Sequence, residues 1–314
     1  MNQMVDILKI DSREELVRIL GCSMNTDLYA FFADPAEHSL SPLMYNKAFE
    51  ILNMDSLYFA SRVPAGCMGD AVDKVRALGI KGFNVSMPHK QDVIKYLDEL
   101  DSVAGLCNAV NTVRVIQNNN DTKLVGYNTD ATGFISALRE MDIETEGVSA
   151  TILGFGGAGK AVVSGLVVNG ASHIHIFVRN PRKLEYHDFI QEITNEIPGV
   201  IIGVYGLSDN ASLNERILQS SILINTTNVG MGEYKGLSLL PDKGVLHKEL
   251  SVMDLIYSPP VTRLMEQSRN SGCRNVTNGL SMLIHQGKDA FRLYKGVDMP
   301  VEEIEKELKE FLSQ

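Results

Sequence analysis

No apolar run in this chain approaches the length of a bilayer crossing, so nothing in it reads as membrane-spanning. The first residues, MNQMVDILKIDSREEL, are acidic and lack an apolar core segment, and they do not read as a signal peptide. Cysteine is scarce: Cys22, Cys67, Cys107 and Cys273 lie far apart with no C-x-x-C pair. That spacing excludes a disulfide framework and the usual metal patterns, and it fits free thiols in a reducing cytoplasm. Positive charge is short too, with 29 Lys and Arg against 39 Asp and Glu. The resulting net charge of −10 argues against general nucleic-acid binding, though not against a local basic pocket. Repeats and low-complexity tracts are absent.

What remains is a chain of 314 residues, 44% hydrophobic, long enough for two domains with buried cores. From Leu28 onward the pattern alternates. LYAFFAD, SLYFASRV and IKGFNVS read as strands, SPLMYNKAFEIL and CMGDAVDKVRAL as helices, and AVNTVRVI with KLVGYNTD as a hairpin tipped by QNNND at 117–121. After IKGFNVS, the spacing of Val93, Ile94, Leu97 and Leu100 predicts a helix with Pro88 in its first turn and Lys90 at about its third position. A second α/β unit opens with SATILG, a glycine-rich turn, the helix KAVVSGLVVNG and the strand HIHIFVRN. The later strands SILINTT and SVMDLIY imply a doubly wound parallel sheet. Two amphipathic helices, LSMLIHQGKDAFRLYKG and PVEEIEKELKEFL, end the chain and are expected to pack on the first unit. The expected division is 1–129 completed by 280–314, and a Rossmann unit over 130–279.

The turn TILGFGGAGKA places Gly154, Gly156 and Gly159 as G-x-G-x-x-G between a strand and a helix. Glycines there permit a tight turn and let backbone approach a pyrophosphate, which the helix N-terminus stabilises. At the end of the next strand an NAD site of this type usually carries an acid for the ribose 2′-hydroxyl. Here FVRNPRKLE supplies Arg179, Arg182 and Lys183, with Glu185 further on, which suits a 2′-phosphate; a solvated basic turn is the plainer alternative.

Lys90 sits where a cation opposes the helix macrodipole, which makes it a candidate for chemistry as well as an ordinary surface lysine. Asp130, at the start of the helix striped by Phe134, Ile135, Leu138 and Met141, is either a cap or a carboxylate partner for it. Together a lysine and a carboxylate form an acid/base couple suited to carbinol–carbonyl interconversion. Ser39 and Ser41 in EHSLSP flank a helix start, an arrangement for a small carboxylate or a plain Ser-Pro turn. His173 and His175 read as structural, and His89 and His285 are left without a role.

HSLSPLMYNKAFE, GFNVSMPHK, AVNTV, GYNTDATG, LGFGGAGKA, INTTNVGM, DLIYSPPVTRL and NGLSMLIHQGKDAF, in that order, resemble the shikimate dehydrogenase family, and more closely its quinate/shikimate branch. The resemblance implies a substrate-binding domain, a Rossmann cofactor domain, and reversible reduction of 3-dehydroshikimate, or of 3-dehydroquinate, with NADP or NAD. It implies that Ser39 and Ser41 hold the substrate carboxylate and that Ser86, Asn111, Asp130 and Gln286 contact its hydroxyls. Lys90 would be the acid/base beside Asp130, with Tyr257 on the substrate side. Gly154, Gly156, Gly157, Ala158, Gly159, Arg179, Asn180, Lys183 and Thr226 would bind the dinucleotide, with Gly279 and Met282 near its nicotinamide. A cytoplasmic homodimer without membrane or nucleic-acid partners is the accompanying expectation, and a non-catalytic sensor on the same fold is the competing one. FADPAEHS in place of the usual Gly-Asn/Tyr-Pro opening, Ser86 in place of a common threonine, and VRNP in place of Asn-Arg-Thr leave substrate breadth and cofactor choice open.

Overall fold

The computed structural model describes residues 4–118, 121–241 and 245–313. Its contacts divide the chain into two units, Met1–Thr129 with Gln286–Gln314, and Asp130–His285.

The first unit opens with α1 (Arg13–Leu20), β1 (Asp27–Ala33), α2 (Ser41–Ile51), β2 (Ser56–Arg62), α3 (Met68–Ala77) and β3 (Gly82–Val85). It continues through α4 (His89–Asp92), β4 (Glu99–Leu100), α5 (Ser102–Cys107), β5 (Thr112–Asn118) and β6 (Asp121–Tyr127). The sheet runs β2-β1-β3-β5-β6-β4, with β1 parallel to both neighbours and the β5/β6 hairpin antiparallel. Strand β1 is a nearly unbroken buried run, as expected where helices cover both faces of parallel strands. The hairpin closes with Asn118 opposite Asp121; of the predicted tip at 117–121, residues 119–120 lie outside the described residues.

The helix expected from Pro88 to Leu100 is not continuous. Four residues of α4 pass into a 3-10 turn at Val93–Tyr96, and Leu97 is extended. Asp98 then exchanges backbone for sheet contacts: its carboxylate accepts the Leu124 N–H at 2.7 Å, and its own N–H donates to the Leu124 carbonyl at 3.0 Å. Lys90 is therefore the second residue of a single helical turn. Val93, Ile94, Leu97 and Leu100 still pack on one core. Their spacing reported the buried side and not the backbone conformation.

The second unit comprises α6 (Thr129–Glu140), which opens on the last residue of the first, then β7 (Ser149–Leu153), α7 (Gly157–Val168), β8 (His173–Val178) and α8 (Leu184–Glu196). There follow β9 (Ile201–Gly206), α9 (Asn210–Leu218), β10 (Ile222–Asn225), β11 (Ser251–Asp254), α10 (Arg263–Asn270) and β12 (Asn275–Thr277). All pairings in the order β12-β11-β10-β7-β8-β9 are parallel. Counted from β7, this is the Rossmann order, with the strand direction of progress reversing between β7 and β10. The chain is thus a two-unit α/β protein with a doubly wound parallel sheet.

Helices α11 (Leu280–Lys295) and α12 (Val301–Leu312) end the chain. From Gln286 on they belong to the first unit. Phe291 lies 5.5 Å from Phe49 of α2, Lys295 pairs with Asp27 at 3.0 Å, and Glu307 of α12 reaches Lys47 at 4.0 Å. Among the described residues no helix is long and apolar enough to cross a membrane, and no group of His, Cys, Asp and Glu is arranged to hold a metal.

Candidate active site

In the first unit the C-terminal ends of β1 and β3 deliver two loops side by side. The Ser86 N–H donates to the Phe32 carbonyl at 2.9 Å, and the Asp34 N–H donates to the Met87 carbonyl at 3.0 Å. On the β1 side the half-buried Ser39 hydroxyl accepts the Ser41 N–H at 3.2 Å, and Ser41 is buried as the first residue of α2. The β3 side carries Ser86 and then Lys90, both half-buried. Two contacts fix the short helix that bears Lys90. His89 is buried, with Nε2 2.6 Å from the Val63 carbonyl, so that nitrogen must carry the proton. The Lys90 carbonyl accepts the Val110 N–H at 2.7 Å.

That contact leads directly to Asn111, which is 3% exposed. Its Oδ1 accepts the Thr129 N–H at 2.8 Å, which orients the amide. Its Nδ2 then donates to Thr129 Oγ1 at 2.9 Å and to Gln286 Oε1 at 3.3 Å. Asn111 and Gln286, 175 positions apart, are thus brought together, and Thr129 holds the entry to the helix whose second residue is Asp130. Asn84 lies beneath. Its amide donates to the Asn111 carbonyl and to Thr112 Oγ1, while its Oδ1 accepts the Tyr58 and Tyr294 hydroxyls at 2.8 and 3.0 Å. Burial drives both phenols well above their usual range, so each stays a donor; Ser41 also hydrogen-bonds Tyr58. Ser41, Asn111 and Gln286 therefore rest on one buried polar layer.

In the second unit the glycine turn follows β7. Gly154 adopts φ +96°, and a Cβ there would stand 2.9 Å from Thr226 Oγ1. Thr226, after β10, donates from Oγ1 to the Leu153 carbonyl at 3.0 Å, so the two loops at the sheet's reversal point are joined. A Cβ at Gly159 would meet the Gly154 carbonyl at 2.9 Å, whereas one at Gly156 would meet nothing within 4 Å. The turn is closed behind at Gly159 and open in front at Gly156, and Gly157, Ala158 and Gly159 begin α7. This cradle fits a dinucleotide pyrophosphate.

Past β8, Arg179 and Asn180 are exposed, and the Asn180 side chain accepts the Arg182 N–H at 3.2 Å. Lys183 occupies the cap position of α8 with its Nζ 5.5 Å from the centre of the Tyr186 ring. Gly279 lies so close to β11's continuation that a Cβ would fall 2.0 Å from the Leu255 carbonyl oxygen. Met282, 7% exposed, follows in the first turn of α11. Burial raises the pKa of half-buried Tyr257, which keeps its phenol protonated.

Residues 31–113 match the shikimate dehydrogenase substrate binding domain, and residues 279–309 match the shikimate 5′-dehydrogenase C-terminal domain. The shikimate dehydrogenase (NADP(+)) of Streptococcus uberis is 39% identical over 282 residues, 90% of this chain and 95% of that protein. The chain belongs to the shikimate dehydrogenase family. Solved members share its structure. Shikimate 5-dehydrogenase from Listeria monocytogenes, in complex with shikimate and NAD, superposes with a TM-score of 0.83 at 37% identity, covering 91% of this chain and 98% of that one. The Thermus thermophilus enzyme, in complex with NADP(H) and shikimate, gives a TM-score of 0.76 at 30% identity, covering 91% and 99%. Like the rest of the family, this chain is an oxidoreductase.

Two buried polar supports were given no role of their own in the sequence. Asn84 is one, and its signal was an amide inside an apolar strand. The other is Asp254, fully buried at the end of β11, which accepts from Asn225 Nδ2 at 2.9 Å, the Ile256 N–H at 3.2 Å and Thr262 Oγ1 at 2.6 Å. It ties the loop after β10 to the loop bearing Tyr257.

Proposed function

We propose that this chain catalyses the reversible oxidation of shikimate to 3-dehydroshikimate with NADP. The observation that carries the reading is that residues 31–113, the stretch matched to the substrate-binding domain, hold Ser39, Ser41, Ser86, Lys90 and Asn111. Ser39 and Ser41 bind the carboxylate, their hydroxyls donating to it, that of Ser41 by turning from the Tyr58 phenol. Asn111, Gln286 and Ser86 take the ring hydroxyls. Lys90, with Asp130, receives the proton of the carbinol hydroxyl on oxidation and returns it to the carbonyl oxygen on reduction. When bound, the nicotinamide accepts hydride from the carbinol carbon and gives it back in the reverse direction. Gly154 to Gly159 and Thr226 hold the dinucleotide, and Gly279 and Met282 border its nicotinamide end.

Arg179 supports the choice of NADP. It stands immediately past β8, where a Rossmann fold receives the adenosine ribose, and a guanidinium there can grip a 2′-phosphate through paired, charge-assisted hydrogen bonds. The name of the Streptococcus uberis relative agrees. Quinate is a second substrate on this reading, favoured by Ser86, whose side chain is smaller than threonine. The deciding experiment is a matrix of initial rates, shikimate and quinate each with NADP and NAD, repeated in Arg179→Ala. The expected result is highest kcat/KM for shikimate with NADP, and a fall of about tenfold in the NADP/NAD ratio in the variant. Absence of turnover with every pair would make the chain a binding protein, and an unchanged ratio would remove Arg179 from cofactor choice.

A further inference from the structure

Lys160 follows the glycine turn in the first turn of α7 and is only 3% exposed. Lysines are rarely so buried, and a cation at a helix N-terminus opposes the macrodipole, so the position demands a partner. Its Nζ lies 2.8 Å from Glu185 Oε1 and 5.4 Å from the centre of the Phe189 ring. Glu185 is in the first turn of α8 and is the sole acid of the segment 179–185 that follows β8. The second cation facing it is Lys183. Around this pair, Phe155 of the glycine turn packs edge-on against Tyr186 and Phe189 at 5.2 and 5.4 Å. Helices α7 and α8 are therefore joined at their N-termini by one ion pair and three rings.

We infer that Lys160 is a specificity-determining residue that acts through Glu185, drawing its carboxylate onto the start of α7 and away from the ribose-reading loop. The inference rests on the proposed placement of the adenosine ribose at that loop. A released Glu185 would do two things there. It would repel a 2′-phosphate and engage the Lys183 cation, and it would offer an acceptor to the 2′-hydroxyl of NAD, the task an acid performs in NAD sites of this fold. With Glu185 held by Lys160, Arg179 presents its charge to the phosphate unopposed, and Lys183 is only partly offset by Glu185. Lys160 touches neither cofactor nor substrate on this account; it is a positioning residue.

The test is kcat/KM for NADP and for NAD at saturating shikimate in the native protein, Lys160→Met, Glu185→Gln and the double variant. Lys160→Met should lower the NADP/NAD ratio by about threefold to tenfold, with the KM for shikimate within about twofold of native. Glu185→Gln alone should leave the ratio in place, and the double variant should return it to the native value. A purely structural role predicts otherwise: both cofactors would lose efficiency in proportion, with no rescue by the second substitution, and either result overturns the inference. If Lys160→Met does not fold, Glu185→Gln decides, since a rise of more than about threefold in the ratio there would mean that Glu185 opposes the phosphate even while paired. Failure of the NADP reading is separately visible as a native preference for NAD. The direction in which the ratio moves tests Lys160 whichever cofactor the native chain prefers.

Discussion

At the scale of single residues, Ser39 and Ser41 look alike in sequence but are built differently. Ser39 is half-buried and its hydroxyl accepts the Ser41 N–H, whereas Ser41 is buried at the start of α2 and hydrogen-bonds the Tyr58 phenol. Each hydroxyl, bonded to a substrate carboxylate, should contribute about 1.5–3 kcal/mol, so each Ser→Ala variant should raise the KM for shikimate by roughly tenfold to hundredfold while leaving kcat nearly unchanged. Ser41→Ala should in addition lower thermal stability slightly, because it removes a partner of a buried phenol. Steady-state kinetics on both variants provides the check; an unchanged KM in both would place the carboxylate elsewhere. Residue types were well legible in the sequence here. Their partners were not, since the Asn111–Gln286 contact joins positions that no local pattern connects.

At the scale of elements, strand-turn-helix units with strong local punctuation were readable. The strand β7, its glycine turn and α7 announce themselves because backbone conformation, turn chemistry and apolar runs agree there. The stretch 88–100 misled for a physical reason: apolar residues at helical spacing can all reach one core from a helical turn, a 3-10 turn and a strand in succession. Helices α8 to α10 and the outer strands β9 and β12 carried weaker patterns, β9 being only half-buried along most of its length. Gly279 offers a test at this scale, because it decides how closely the start of α11 approaches the strand end at Leu255. Gly279→Ala would set a methyl 2.0 Å from a backbone oxygen, which cannot rotate away as a side chain can. The backbone must shift, costing about 1–3 kcal/mol, and the displaced α11 start should weaken cofactor binding. A lower melting temperature together with a raised cofactor KM is the expected outcome; native values of both would show that the start of α11 accommodates a methyl group there.

Across the whole molecule, a net charge of −10 coexists with a local basic segment at 179–183, Arg179, Arg182 and Lys183. Stability of the whole also responds to pH through a residue away from the site. His175 on β8 is 5% exposed, and burial, followed by the Arg216 cation, pushes it down to about 4. Its folded pKa lies below the unfolded value, so the stability it lends is present above about pH 6.5 and is lost as pH falls through about 4. The loss is on the order of 3 kcal/mol. Urea midpoints at neutral and mildly acid pH should converge in His175→Gln relative to the native chain. Equal acid sensitivity in both would show that His175 titrates normally.

The central claim is that Lys90 and Asp130 serve one proton transfer coupled to oxidation of shikimate by a nicotinamide cofactor. The most direct measurement is the rate of formation of reduced nicotinamide when shikimate and NADP are mixed with the native protein, Lys90→Ala and Asp130→Asn, each shown by circular dichroism to be folded. The native protein should turn over, and each variant should lose about 10²–10⁴ in kcat while the KM for NADP stays near native. Native-like turnover in either variant, or none in the native protein, would contradict the account.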